Sequence, residues 1–180
     1  MSTENSIYSF DDLYVNFYRA FKDVPLPKQG SSVLILGLGL ASIPYMLEHH
    51  FKRHYHYWAV EIDEAVVELA GRYTLPRIQS HIEIYCADAA RFVATCEQKF
   101  DLVIVDLFLD DVTPSFLDDI EGNVLVKALV GADGFAMYNR LYRSAHDQER
   151  TEKFYEEVFK KSFDRPNRLD VGGNWILLGE

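Results

Sequence analysis

The chain has 180 residues, of which 48% are hydrophobic and 26% charged, as expected for one soluble globular domain with a buried core. Its formal net charge of −10 argues against general nucleic-acid binding, which needs clustered Lys and Arg, and leaves room for a cationic substrate. No signal-peptide pattern is visible and no apolar run is long enough to span a membrane. We therefore expect a cytoplasmic protein without membrane contact.

Residues 1–30 are expected to form an N-terminal helical extension. Apolar side chains recur there at helical spacing, at Phe10, Leu13, Tyr14, Phe17 and Phe21. This aromatic stripe favours a helix packed on the rest of the domain, and a lid over a ligand is the alternative.

A glycine-rich turn follows the first predicted strand. Residues 33–36 are an unbroken apolar run, and Gly37, Gly39 and Ala41 follow before a helix that Ser42 is expected to cap. Glycine lets the backbone bend tightly and approach a ligand, and the helix directs free N–H groups toward the same space. We predict that this turn binds a cofactor, although any strand-to-helix turn can use glycine.

Two carboxylates mark the end of the second predicted strand, residues 55–62. Glu61 lies 22 positions beyond Gly39, where a carboxylate can accept hydrogen bonds from the ribose hydroxyls of a nucleoside cofactor. Asp63 is a second cofactor-binding candidate, and capping of the next helix explains it equally well.

The third predicted strand, residues 81–86, leads to Asp88 and Ala89. The Asp88 carboxylate could accept from an exocyclic adenine amine, and the Ala89 backbone N–H could donate to the adenine ring. Capping of the next helix by Asp88 is the alternative, and the residues alone do not separate the two.

Asp106 ends the most apolar predicted strand, within residues 100–108. Such an unbroken run is typical of a central parallel strand, and open α/β sheets bind ligands at the carboxyl ends of their strands. Asp106 and Asp110 in the adjoining loop are our catalytic candidates, because clustered carboxylates can bind an amine and remove its proton. Asp106 is also a cofactor-binding candidate. An ordinary loop rich in turn-forming Asp is the alternative.

The remaining elements complete one α/β domain over residues 31–180. A helix at 120–130, a turn at 131–134, a fifth strand at 135–141 and a helix at 149–160 precede two strands joined at Gly172 and Gly173. This order predicts a doubly wound, mostly parallel sheet with a C-terminal antiparallel hairpin.

The cysteines and histidines do not indicate a metal centre. Cys86 and Cys96 lack ligand or redox spacing and are expected to be reduced core thiols. Four histidines lie between residues 49 and 56, but no cysteine or carboxylate completes a ligand set, so we predict no metal.

The pattern resembles the class I methyltransferase fold and, within it, the spermidine synthase-like branch. The resemblance extends from about residue 32 to the last residue and is carried by four segments, residues 33–42, 61–68, 88–92 and 100–106. The hairpin is similar to the antiparallel seventh strand of that fold, which nicotinamide-binding Rossmann domains lack. A seven-stranded sheet is therefore implied.

The resemblance also implies roles for the candidate residues. Gly37 and Gly39 would line the aminoacyl side of the cofactor, Glu61 would bind its ribose and Asp88 its adenine. The position of Asp106 carries, in that family, the acidic residue that helps to deprotonate the attacking amine. The cofactor is decarboxylated S-adenosylmethionine in spermidine synthase-like proteins and S-adenosylmethionine itself in methyltransferase relatives.

Three departures from the family pattern keep several functions open. Ala41 stands at the position of the family's third glycine, and the acidic segment after the fourth strand is altered around Asp110. Only some thirty residues precede the first strand, where the family has an N-terminal β-domain. We expect an S-adenosyl-dependent transferase that moves an aminopropyl or methyl group to a small nucleophile, for which we favour an amine, and a homodimer is compatible with the sequence. The rivals are a small-molecule methyltransferase, a non-catalytic cofactor-binding homologue, and a nicotinamide-dependent enzyme.

Overall fold

A seven-stranded mixed sheet is the centre of the molecule. The computed structural model describes residues 15–108 and 113–180, and its strands follow the order β3-β2-β1-β4-β5-β7-β6. The strands are β1 (Ser32–Leu36), β2 (His56–Glu61), β3 (Ile82–Cys86), β4 (Phe100–Val105), β5 (Val130–Leu141), β6 (Asn167–Asp170) and β7 (Asn174–Gly179). The first five are parallel, whereas β7 pairs antiparallel with both β5 and β6. The predicted fold class, including the hairpin, is confirmed.

Helices cover both faces of the sheet, as crossovers between parallel strands require. They are α1 (Val15–Asp23), α2 (Ser42–His49), α3 (Glu64–Tyr73), α4 (Ala89–Thr95), α5 (Ile120–Ala128), α6 (Ala145–Phe154) and α7 (Lys160–Ser162). A π-helical turn, Tyr155–Phe159, joins the last two into one continuous helix. None of the helices in the described ranges combines the length and apolar character needed to cross a membrane.

Alternate side chains of the strands enter two separate hydrophobic cores. Val33 and Ile35 pack against α1, α2 and α3 on one face, whereas Leu34 and Leu36 pack against α4, α5 and α6 on the other. Phe17 and Phe21 of α1 are buried in the first core, as a packed helix requires. Three further members of the predicted stripe, Phe10, Leu13 and Tyr14, lie outside the described residues.

Two element boundaries differ from the predictions. Helix α2 is preceded by Ala41 in the left-handed conformation (φ 59°), and Ser42 is the first helical residue rather than the cap. Strand β5 begins at Val130, because the predicted turn at 131–134 is an irregularity between two paired parts of one strand. Gly134 permits it, since a Cβ there would lie 2.7 Å from the Phe100 carbonyl oxygen.

The two cysteines are free, as predicted, but they are not core thiols. Cys86 is exposed and Cys96 is half-buried. Cys86 shares the face of Ile82 and Ile84, but it is the last residue of β3, an outer strand of the parallel part of the sheet, and is left exposed at the end of that strand.

A buried carboxylate ties α2 to the loop that precedes β3. Glu48, only 4% exposed, accepts hydrogen bonds from the backbone amides of Gln79 (2.8 Å) and Ser80 (2.9 Å) and from the Ser80 hydroxyl (2.7 Å). His54 Nδ1 lies 3.3 Å from the same carboxylate. Burial alone would raise the pKa of Glu48, but the Ser80 hydroxyl and the two amides outweigh it, so this pKa is below the usual 4.5.

The Glu48 contacts predict a stability that depends on pH. Because the folded pKa is below the unfolded one, ionised Glu48 stabilises the fold above about pH 4.5, and this contribution is lost as the pH falls through the folded pKa. Urea unfolding between pH 7 and pH 3.5 should therefore show a smaller pH dependence in Glu48→Gln than in the unmodified protein. Glu68→Gln, an exposed position on α3, is the control and should follow the unmodified protein. Equal slopes for all three proteins would contradict the prediction.

Candidate functional site at the carboxyl edge of the sheet

The predicted site residues come together at one edge of the sheet. Because β3, β2, β1 and β4 are adjacent and parallel, their carboxyl ends meet there. Backbone hydrogen bonds continue past the strand ends, from Gly37 N–H to the Val60 carbonyl (2.9 Å) and from Asp106 N–H to the Leu36 carbonyl (2.8 Å). Strand β1 is also where the connections change direction, the point at which open α/β sheets form their ligand crevice.

Only glycine fits at position 37, because the backbone there lies close to the end of β4. It has φ of 92°, and a Cβ built on it would lie 2.3 Å from the Asp106 carbonyl oxygen. No side chain fits at that separation, so this glycine sets the close contact between the turn and Asp106. Gly39 (φ 53°) and Ala41 (φ 59°) also have left-handed backbones, which for alanine costs about 1–2 kcal/mol.

Glu61 connects the glycine turn to the end of β2. One carboxylate oxygen accepts from the Gly39 amide (2.9 Å), and the other accepts from the amides of Ile62 (2.9 Å) and Asp63 (3.1 Å). A carboxylate offers about four acceptor sites, so these three bonds leave capacity for a ligand hydroxyl. The half-buried Glu61 is therefore held in place at the mouth of the turn.

The capping contacts considered for Asp63 and Asp88 are present. Asp63 accepts from the Ala65 amide (2.9 Å) at the start of α3, and Asp88 accepts from the Arg91 amide (2.9 Å) at the start of α4. Each carboxylate lies at a strand end beside Glu61 and still has acceptor capacity. Ala89 is the buried first residue of α4. Their cofactor roles stay predictions.

Asp106 follows the last residue of β4 and receives a hydrogen bond that the sequence did not indicate. The Asn139 side-chain amide on β5 donates to Asp106 Oδ1 over 2.9 Å. An amide on a central strand carries no periodic signal, and only the β4–β5 register, which pairs Val105 with Tyr138, places Asn139 beside the end of β4. Asp110 lies outside the described residues.

The neighbouring Arg140 points to the opposite face of the sheet. It is 4% exposed, lies 4.1 Å over the Phe154 ring, and contacts the Asp118 carboxylate at 3.4 Å. Burial lowers the pKa of Arg140, and Asp118 partly opposes that effect. Arg140 thus belongs to the packing of α6 against the sheet.

A second missed residue is Ile62, which is 58% exposed between Glu61 and Asp63. It is an apolar side chain that the sheet does not bury, at the edge where the site residues meet. The sequence pattern that could have indicated this role is the apolar residue directly after Glu61, at the end of the second strand.

No group of three or more His, Cys, Asp or Glu residues in the described ranges is arranged to hold a metal ion. What the described residues bring together at this edge is a glycine turn and a row of carboxylates. Such a row can accept hydrogen bonds from hydroxyls and amines and can hold a positive charge.

Comparison with known proteins identifies a family. The model described as "Spermine/spermidine synthase domain" matches residues 24–134, more than half of the chain. The polyamine aminopropyltransferase of Vibrio vulnificus (strain CMCP6) is 27% identical over 149 residues, which are 81% of this chain and 49% of the relative. The chain thus spans about half the length of that curated relative.

Solved structures show the same fold at low identity. Spermidine synthase from Thermotoga maritima has a TM-score of 0.62 and 21% identity over 83% of this chain and 53% of that one. Human methyltransferase-like protein 13, solved in complex with SAH, has a TM-score of 0.66 and 20% identity over 84% of this chain and 72% of that one. At these identities the likeness shows a shared Rossmann-like α/β fold.

Proposed function

The chain belongs to the spermine/spermidine synthase family, and from that premise we propose that it is a transferase that uses an S-adenosyl cofactor. The group transferred is an aminopropyl or methyl group, and the acceptor is a small amine. The observation that carries the proposal is the close approach of the Gly37 backbone to the backbone carbonyl of Asp106, which puts the residue with the proposed catalytic carboxylate next to the turn where the cofactor would bind.

The residues at the sheet edge fit a nucleoside cofactor. Glu61 has acceptor capacity for ribose hydroxyls, Ile62 offers an exposed apolar surface to a base, and Asp88 with the Ala89 amide could hold the base edge. Gly37 and Gly39 leave the turn without side chains where the sulfonium end would lie. The cofactor would supply a carbon activated by a sulfonium leaving group.

Asp106 is the proton acceptor in this proposal. It takes a proton from the ammonium form of the acceptor and so gives the nitrogen a lone pair. A bound S-adenosyl cofactor would supply the electrophilic carbon for that lone pair, and its sulfur would take the electron pair of the carbon–sulfur bond that is lost. The remaining work of the protein is to align nitrogen, carbon and sulfur.

The charge of the site favours aminopropyl transfer over methyl transfer. The charged candidate side chains described at this edge are all acidic: Glu61, Asp63, Asp88 and Asp106. The Gly39 amide, which could bind an anion, already donates to Glu61. A carboxylated cofactor tail would meet this negative field, whereas the amine of the decarboxylated cofactor would be attracted. We therefore favour decarboxylated S-adenosylmethionine.

Isothermal titration calorimetry tests the cofactor assignment. We expect binding of decarboxylated S-adenosylmethionine and methylthioadenosine, weaker binding of S-adenosylmethionine, and none of NAD. Mass spectrometry of the reaction with a diamine should then detect an added aminopropyl group. Methyl transfer alone would establish the methyltransferase alternative, cofactor binding without transfer would establish the non-catalytic one, and binding of NAD alone would overturn the proposal.

Glu61→Ala should weaken binding of that cofactor by about 1–3 kcal/mol, the scale of lost hydrogen bonds to a charged acceptor. Glu61→Gln keeps the shape but not the charge and should give a smaller loss. The measurement is calorimetry on variants shown to be folded by circular dichroism, with Glu68→Ala on the exposed side of α3 as the control. An unchanged dissociation constant in Glu61→Ala would remove the ribose role.

Three expectations stay predictions of this proposal. Light scattering would test the homodimer, cell fractionation would test the cytoplasmic location, and expression of residues 31–180 would test the domain boundary at residue 30.

A further inference from the structure

Two buried asparagines of the sheet form a chain of hydrogen bonds that ends on the Asp106 carboxylate. Asn139 Nδ2 donates to Asp106 Oδ1 over 2.9 Å, and Asn174 Nδ2 on β7 donates to Asn139 Oδ1 over 2.8 Å. Asn139 is 5% exposed and Asn174 is 1% exposed. Strand pairing explains the contact, because Asn139 opposes Ile176 and Leu141 opposes Asn174, which makes the two asparagines diagonal neighbours.

The charge of the Asp106 carboxylate determines which group donates and which accepts in each hydrogen bond of this chain. Because ionised Asp106 can only accept, Asn139 must turn its NH2 group toward it and its oxygen toward Asn174. Asn174 must then turn its own NH2 group toward Asn139. The orientations of both amides therefore follow from the charge on Asp106.

Stability does not explain the pair. The asparagines share their sheet face with apolar residues of the first core such as Met137 and Ile176. Asn174 Oδ1 is buried and has no hydrogen-bond partner within residues 15–108 and 113–180. An unsatisfied buried acceptor is costly, and apolar side chains of similar shape would avoid that cost.

We propose that Asn139 and Asn174 are positioning residues for Asp106. Asn139 restricts rotation of the carboxylate and favours its ionised form, and Asn174 holds Asn139 in the donating orientation. This rests on the proposed function, in which Asp106 accepts the proton of the amine. Neither asparagine touches the reacting atoms, so their contribution reaches the reaction only through Asp106.

A double-mutant cycle on the full chain tests the positioning role by turnover of a diamine with decarboxylated S-adenosylmethionine. We expect Asn139→Leu to lower kcat by about tenfold or more with little change in KM, and Asn174→Leu to lower it less. Added to Asp106→Asn, Asn139→Leu should have no further effect. Asn139→Ala, which removes the donor without adding bulk or charge, is the second variant if Asn139→Leu does not fold.

Asn123→Leu is the matched control, because Asn123 is also buried and donates to the Leu117 carbonyl (2.7 Å), on helix α5, which packs on the other face of the sheet. It should lower thermal stability without changing kcat per folded molecule. A kcat unchanged in Asn139→Leu, or equal further losses in the Asp106→Asn background, would overturn the positioning role.

A measurement without turnover separates this inference from the proposed function. The titration midpoint of the Asp106 side-chain carboxyl carbon, followed by nuclear magnetic resonance, should move to higher pH in Asn139→Leu and stay constant in Asn123→Leu. Absence of turnover in the unmodified protein, with this displacement present, would refute the transferase and keep the positioning. Turnover with no displacement would refute the positioning and keep the transferase.

Discussion

Asp106→Asn should lower the turnover of an amine acceptor by about 10²- to 10⁴-fold, the range expected for loss of a general base. The asparagine has the same shape but cannot take the proton from the ammonium group. Cofactor affinity should stay nearly constant, because Glu61 and the glycine turn are unchanged. Steady-state kinetics and calorimetry on the same sample measure the two quantities.

Asp101→Asn provides the matched control for that result. Asp101 lies on the same strand at the opposite end of the sheet, where its carboxylate accepts from the Ser32 amide (2.8 Å). Its replacement should affect stability modestly and leave turnover as it is. Full turnover in Asp106→Asn would remove Asp106 from the mechanism.

Gly37→Ala should lower the free energy of unfolding by at least about 2 kcal/mol, the scale of a strained backbone combined with a steric clash. The added methyl group would lie 2.3 Å from the Asp106 carbonyl oxygen and 2.9 Å from its carbon, and the backbone has φ of 92°. Relief requires β1 and the end of β4 to separate, so turnover should fall as well. Urea unfolding and kinetics measure the two losses.

Gly71→Ala is the control for the glycine argument, because a Cβ at Gly71 would meet nothing within 4 Å. Gly71 lies inside α3, where alanine is favoured over glycine by about 0.5–1 kcal/mol. We expect this variant to be slightly more stable than the unmodified protein. A Gly37→Ala protein as stable as Gly71→Ala would contradict the close contact.

The strands and their carboxyl edge were predictable because they depend on local patterns. The apolar runs before Gly37 and Asp106 gave β1 and β4, and the rule for open α/β sheets then placed the candidate carboxylates at one edge. The hairpin at Gly172 and Gly173 was predictable for the same reason, since paired glycines mark a tight turn.

What the sequence did not reveal depends on contacts between distant strands. Asn139 and Asn174 are single polar residues in apolar strands, and their meeting requires the β5–β7 register. The early start of β5 likewise depends on pairing between Val130 and Phe100, which overrides the turn preference of residues 131–134. For Asp63 and Asp88, helix capping and cofactor binding are compatible with each other, because a capping carboxylate keeps acceptor capacity.

The hydrogen bond between Asn139 and Asn174 depends on the register in which β7 pairs with β5. A slip of β7 by one residue along β5 would turn Asn174 to the other face of the sheet and leave the Asn139 oxygen without its donor. Such a molecule would still carry the glycine turn and Glu61, since the turn follows β1 and Glu61 ends β2, and neither strand pairs with β7. Misaligned molecules should therefore bind cofactor and react slowly, and the active fraction of a preparation would report how many chains have aligned the hairpin.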